Sequence, residues 1–183
     1  QHPGLRRHGL EPGQRVDTVH AGHVVVQQDQ VGLGRGGALV RLVRDKRPAA
    51  TPILAELTPD VTDIVTIADA ALGAGADGLT MINTLLGMVI DTDLLRPQLA
   101  GVTGGLSGPA VRPVAVRALW QVTAAMRDGR LPTAPLIGVG GVRTGRDALE
   151  LVAAGASAVQ VGTATFNDPS RPSRVVDELE AEV

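Results

Sequence analysis

Two glycine-bearing stretches, Gly140-Gly141 and Gly162-Thr163, each close an apolar run and stand before a helix-like one. Glycine lets backbone N–H groups approach an anion closely, and a helix that follows aims its positive end at the same point. A lone Gly-Gly is equally well explained as a tight turn; two such turns in register favour a phosphate site. Neither is a Rossmann fingerprint, because neither turn carries Gly-x-Gly-x-x-Gly. Nor is there a Walker loop, since no Gly-Lys-Ser/Thr occurs. Asn83-Thr84 ends another apolar run. The Asn carboxamide offers donors and an acceptor to a planar amide or carboxylate, yet Asn and Thr serve as well in turns and helix caps, and both readings stay open. Glu56 with Thr58 closes a fourth run, and Thr103-Gly104-Gly105-Leu106-Ser107-Gly108 forms a polar, glycine-rich loop.

The elements that position these residues follow a repeating order. Pro52–Leu57 is a short apolar strand ending in the turn Thr58-Pro59-Asp60, and Thr62 or Asp60 can cap a helix with apolar positions Ile64, Ile67, Ala68, Ala71 and Leu72. Gly78–Asn83 is the next strand, followed by a glycine-rich loop over 86–108 and a helix from Pro113 to Met126. Pro135–Val139 is a third strand, with a helix from Thr144, its N-cap, to Ala154; Ala158–Thr163 is a fourth, with a terminal helix over Pro172–Glu182. Continuously apolar strands are those of a parallel sheet covered on both faces. Ala74-Gly75-Ala76-Asp77 and Ala154-Gly155-Ala156-Ser157 each close a helix and open a strand, which suits a repeating βα architecture. An open doubly wound sheet and a (β/α)₈ barrel both fit, and in either the functional residues gather where strands end and helices begin. A barrel takes about 250 residues, and its phosphate cradle typically follows strands 7 and 8. The two glycine turns end the last two strands here.

Composition narrows the function classes. The chain has 183 residues, 44% hydrophobic, with a formal net charge of -2, so no basic excess points to nucleic acid. Trp120 and Phe166 are its only aromatic residues, too few for stacking on single strands. There is no cysteine, which excludes disulfides, thiolate metal sites and a cysteine nucleophile within these residues. No apolar run reaches ~18 residues, so no transmembrane helix is expected, and the N-terminus lacks a signal-peptide pattern. A soluble cytoplasmic protein that binds neither membrane nor nucleic acid is the expectation.

Residues 1–50 differ in character. They hold eight basic residues against four acidic, while 51–183 hold nine against fifteen. All four histidines (His2, His8, His20, His23) lie there, without an i, i+4 pair; a solvated tail outweighs a metal site, and none is assigned. Val24-Val25-Val26 can start a strand and Ala38–Val43 can sit in a short helix, but poor order is expected over 1–35. The division is thus an atypical segment over 1–50, poorly ordered or unrelated to the rest, and an α/β unit over 51–183.

Five stretches of that unit resemble the catalytic subunit of dihydroorotate dehydrogenase, type 1B, an FMN-dependent (β/α)₈ barrel. They are Leu-Thr-Pro-Asp-Val-Thr-Asp-Ile (57–64), Gly-Ala-Asp-Gly-Leu-Thr-Met-Ile-Asn-Thr-Leu-Leu-Gly-Met (75–88), Thr-Gly-Gly-Leu-Ser-Gly-Pro-Ala (103–110), Ile-Gly-Val-Gly-Gly-Val (137–142) and Gly-Ala-Ser-Ala-Val-Gln-Val-Gly-Thr-Ala (155–164). They keep the family's order and spacing over 52–183. The resemblance implies the C-terminal half of a TIM (β/α)₈ barrel, as four parallel βα units. It implies FMN contacts at Ile82, Gly108, Gly140, Gly141, Gly162 and Thr163, the last four around the phosphate, and substrate contacts at Asn83 and Thr84, which hold the carboxylate and ring of dihydroorotate or orotate. The implied activity is FMN-dependent oxidation of dihydroorotate in pyrimidine biosynthesis, with electrons passing to a second subunit that carries FAD and an iron–sulfur cluster, and finally to NAD.

The sequence departs from that family in two ways. The family's base is a cysteine in the loop after the fourth strand, and this chain has none, so no catalytic residue is assigned. The family also places Lys where Glu56 stands, near the flavin; Glu inverts the sign, and a tolerated variant is the simpler account. The chain begins at Gln1 rather than Met and spans about half a barrel, as a fragment or frame-shifted product does. The expectation is an enzyme lineage whose isolated polypeptide is inactive. The alternatives are a non-catalytic half-barrel that binds phosphate or FMN, or another phosphate-binding barrel. The open strand edges of a half-barrel also make self-association an expectation.

Overall fold

The computed structural model describes residues 19–20, 23–28, 33–48 and 50–182. One six-stranded sheet runs through it in the order β1 (Val19–His20), β2 (His23–Gln28), β3 (Ile53–Leu57), β4 (Gly78–Met81), β9 (Leu136–Val139) and β10 (Ala158–Gln160). β1 and β2 pair antiparallel; every other neighbouring pair is parallel. Helices separate the parallel strands in sequence: α1 (Leu33–Lys46) follows β2, α2 (Ile64–Gly73) follows β3, α3 (Arg112–Arg127) precedes β9, and α4 (Gly145–Ala153) precedes β10. A short α5 (Ala164–Asn167) and a longer α6 (Arg171–Glu182) end the chain. This is an α/β fold, with the parallel strands and covering helices of a partial (β/α)₈ barrel.

The four strands expected over 52–163 are present, and β2 adds a fifth to the parallel set. β2 pairs with β3 from Val24↔Ile53 to Gln28↔Leu57, and α1 buries Leu39, Val40 and Val43 in the common core. The sheet and core therefore continue across residue 50, where the charge pattern suggested a break. Two of its eight basic residues, Arg41 and Lys46, are exposed on α1. The expectation of poor order over 1–35 falls largely on residues outside those described.

Alternation explains how β3 fits. Ile53, Ala55 and Leu57 are buried against the helices, while Leu54 and Glu56 point to the opposite, half-buried face. β4, in the middle of the sheet, is buried at all four positions. Gly138 on β9 leaves room for the helices above it: a Cβ there would stand 3.1–3.2 Å from Ala156, Leu119 and Leu151.

Two local expectations need correction. The N-cap of α2 is Asp63, not Thr62 or Asp60; its carboxylate accepts the Val65 N–H at 3.0 Å. An Asx cap takes the residue directly before the first helical turn. The glycine-rich stretch 86–108 is not plain loop either. It contains two antiparallel pairs, β5 (Leu85–Gly87) with β8 (Gly104–Leu106) and β6 (Ile90–Asp91) with β7 (Arg96–Pro97). The expected N-cap of α4, Thr144, is present in a capping box with Asp147.

Arg44 and Asp77 join α1 to the sheet. The Arg44 guanidinium donates to the carbonyls of Thr51 (2.9 Å) and Gly75 (2.8 Å) and pairs with Asp77. Asp77 also accepts the Ile53 N–H at 2.7 Å. Burial works to raise the Asp77 carboxyl, but the Ile53 N–H and Arg44 outweigh it and hold the group below the usual aspartate range. A depressed folded pKa means stability that is present above the unfolded value, about 3.9, and lost as pH falls through the folded one. Asp77→Asn should therefore cost about 1 kcal/mol at pH 7 and flatten the loss of stability below about pH 4. Urea unfolding at both pH values checks this; an unchanged acid limb would count against the pairing.

Candidate functional site

The C-terminal ends of the parallel strands are held level by bonds that continue the ladder. The Ile82 N–H donates to the Val139 carbonyl and the Asn83 N–H to the Leu57 carbonyl, both at 2.9 Å. A cleft of about 480 Å³ opens at this edge, within the range of small-ligand sites. It is lined by all eight residues that the sequence singled out: Ile82, Asn83, Thr84, Gly108, Gly140, Gly141, Gly162 and Thr163. Glu56 lines it as well.

Each of the two glycine turns has its own local cause. Gly140 and Gly141 have φ of 140° and 73°, a region that L side chains rarely adopt. A Cβ on Gly141 would also meet the Gly108 carbonyl oxygen at 2.8 Å and Arg112 Cβ at 2.9 Å. The turn is thus pressed against the loop that ends in Gly108. Arg112 holds it from behind, pairing with Asp147 (2.6 Å) and Glu150 (2.8 Å) at the start of α4. At the second turn the Gly162 carbonyl accepts from the Thr165 hydroxyl (2.7 Å) and N–H (2.9 Å), while a Cβ on Gly162 would meet nothing within 4 Å.

The N–H groups of Gly140, Gly141, Gly162 and Thr163 make no hydrogen bond to any described residue. Those at the start of α4 are already engaged: Arg143 and Thr144 N–H donate to Asp147, and Gly145 N–H donates to Glu178 at 2.8 Å. The two turns therefore keep free donors, as the loop does at Ser107 and Gly108, whereas the helix that follows the first turn has its leading N–H groups engaged.

Asn83 shows both behaviours that its type allows. Its Oδ1 accepts the Thr84 N–H at 2.6 Å, a turn contact, while the residue stays half-buried on the cleft. β8 crosses over Thr84 so closely that a Cβ on Gly105 would stand 2.1 Å from the Thr84 hydroxyl. Asp60 fixes the start of this excursion by accepting the Leu86 N–H at 2.9 Å. The loop 103–108 thereby lies directly beside Thr84, which itself stays exposed.

Three charged residues on the cleft were not singled out from sequence: Arg143, Asp168 and Arg171. Arg171 pairs with Asp168 at 3.1 Å, and Arg174 reaches the same carboxylate at 3.2 Å. The Ser170 hydroxyl, its N–H and the two arginines hold Asp168 below the usual aspartate range against the opposing effect of burial. The available signal was proximity in sequence: Arg143 stands two residues past Gly141. Among the described residues, no group of three or more His, Cys, Asp or Glu could hold a metal ion. No helix among them is long and apolar enough to cross a membrane.

The sequence model of the dihydroorotate dehydrogenase family matches residues 13–183. The chain belongs to the dihydroorotate dehydrogenase family. The dihydroorotate dehydrogenase B (NAD(+)), catalytic subunit, of Geobacter sp. (strain M21) is 49% identical over 172 residues, covering 94% of this chain and 53% of that protein. The protein of the same name from Desulforudis audaxviator (strain MP104C) is 56% identical over 143 residues, covering 78% of this chain and 44% of that protein. The chain spans about half the length of these curated relatives. The match begins at residue 13, so the resemblance to dihydroorotate dehydrogenases extends well into the segment 1–50 that charge had set apart.

Proposed function

We propose that this chain carries the flavin-phosphate and pyrimidine-binding part of a type 1B dihydroorotate dehydrogenase catalytic subunit. The observation that carries the proposal is the set of four uncommitted N–H groups, on two turns, at one cleft. Uncommitted backbone donors suit a phosphate, and in this family we infer that it is the phosphate of FMN. Gly140, Gly141, Gly162 and Thr163 hold the phosphate, and Ile82 and Gly108 pack against the rest of the cofactor. Asn83 and Thr84 hold the carboxylate and ring of dihydroorotate or orotate, using the Asn83 amide donors that its turn contact leaves over. When bound, FMN supplies the hydride acceptor for dihydroorotate oxidation. The chain's own part is to bind and orient, with the 103–108 loop packed beside Thr84 at the same edge. The relatives' names as catalytic subunits of NAD(+) enzymes support a partner subunit, which we infer carries FAD and an iron–sulfur cluster.

Titration of the ¹⁵N-labelled protein with FMN tests the site. The amides of Gly140, Gly141, Gly162 and Thr163 should shift together. Because a Cβ on Gly162 meets nothing, Gly162→Ala should leave the unfolding free energy within about 0.5 kcal/mol. Its methyl should nonetheless crowd the phosphate and weaken FMN roughly tenfold, the equivalent of one charge-assisted hydrogen bond. Shifts confined to the Arg-rich residues 1–50 would mean unspecific charge attraction and would refute the proposal.

A further inference from the structure

We propose that Arg143 reads the charge of the bound phosphate and so makes the cleft distinguish flavin mononucleotide from riboflavin. The inference rests on the cleft being the flavin site. Arg143 lines it beside the two glycine turns. Its backbone is fixed, because its N–H donates to Asp147 at 2.9 Å, while its side chain is exposed. Among the described residues no carboxylate lies within ion-pair distance of its guanidinium.

The other cation on the cleft is differently placed. Arg171 is bound to Asp168, which also takes Arg174. Much of its field is cancelled locally, and turning it toward a ligand would break an existing pair. Arg146, in the first turn of α4, lines a different hollow and faces Glu182 at 4.0 Å. That leaves Arg143 as the cation whose charge is available to a ligand at no cost in broken contacts. A guanidinium also matches phosphate oxygens with a fork of donors, which an ammonium does not. The four backbone donors already favour an anion over a neutral hydroxyl; the full charge on Arg143 adds to that preference and makes it depend on this side chain.

The test is a fluorescence titration of the 183-residue protein with FMN and with riboflavin, repeated for Arg143→Ala, Arg143→Lys and Arg146→Ala. Arg143→Ala should weaken FMN about tenfold and leave riboflavin unchanged. Arg143→Lys should fall between, and Arg146→Ala should match the native sequence. Added salt should narrow the native preference for FMN and have less effect in Arg143→Ala. Unfolding midpoints verify that each variant is folded, and the Lys variant carries the comparison if the Ala variant is not. Equal loss of both flavins in Arg143→Ala would show a structural role, and no loss of either a solvated surface charge; each overturns the inference while the flavin site stands. If the native protein binds neither flavin, the site itself fails, and the inference with it.

Discussion

Gly145→Ala should destabilise the protein by about 2–3 kcal/mol, against the intrinsic preference of helices for alanine. Two effects compete. Alanine is favoured over glycine inside a helix by up to ~1 kcal/mol, and by less at its first position. Against this, a Cβ at Gly145 would stand 2.3 Å from the Leu179 nitrogen and 2.4 Å from the Glu178 carbonyl carbon. Both are backbone atoms of α6, so no rotamer change relieves the contact, and overpacking of this kind costs about 1–3 kcal/mol or more. Moving α6 also breaks the Gly145 N–H to Glu178 bond at 2.8 Å and loosens Val175, which is buried under the helix pair. Packing wins. In a chain of this length the change should appear as a fall of roughly 5–10 °C in the melting temperature. Since Asp168 and Arg171 stand at the start of α6 and line the cleft, the same variant should disturb that rim. A melting temperature that rises in Gly145→Ala would show that α4 and α6 do not pack this closely.

The elements legible in the sequence are those whose signal is local. β3 reads as a strand because Ile53–Leu57 is a continuous apolar run closed by Thr58-Pro59-Asp60, and the α4 cap reads from Thr144 followed by Asp147 at N3. Six of the eight cleft residues named from sequence, Asn83, Thr84, Gly140, Gly141, Gly162 and Thr163, stand out as glycine, asparagine or threonine at the ends of apolar runs, and strand direction brings such ends to one edge, whereas Ile82 and Gly108 were assigned contacts only through the family resemblance. The elements missed depend on partners distant in the chain. Leu85–Gly87 forms a strand only because Gly104–Leu106 returns to pair with it, and glycine-rich sequence carries little β signal. β2 belongs to the sheet through its register with β3, a pairing invisible to a charge count. Arg143 and Arg171 resemble any surface arginine until the fold shows which of them already has a carboxylate partner.

The 183-residue polypeptide supplied with FMN should oxidise dihydroorotate no faster than free FMN does. Loss of the proton from the substrate's C5 needs a positioned base, and such a group contributes ~10²–10⁴-fold. The family's cysteine is absent, and the four histidines all lie at or before position 23. Of the two carboxylates lining the cleft, Asp168 is bound by Ser170, Arg171 and Arg174, and its depressed pKa makes it a poor proton acceptor. Glu56 is the other. It lies on β3 directly across from Thr80 on β4, on the half-buried face of the sheet. Were it ionised beside a bound flavin, it would oppose the build-up of negative charge on the reduced ring. Anaerobic bleaching of the flavin absorbance on addition of dihydroorotate measures the reaction directly. Bleaching at the protein-free rate, with FMN bound by the amide-shift criterion, would separate binding from turnover. Clear acceleration would overturn the expectation, and its loss in Glu56→Gln would then identify Glu56 as the base.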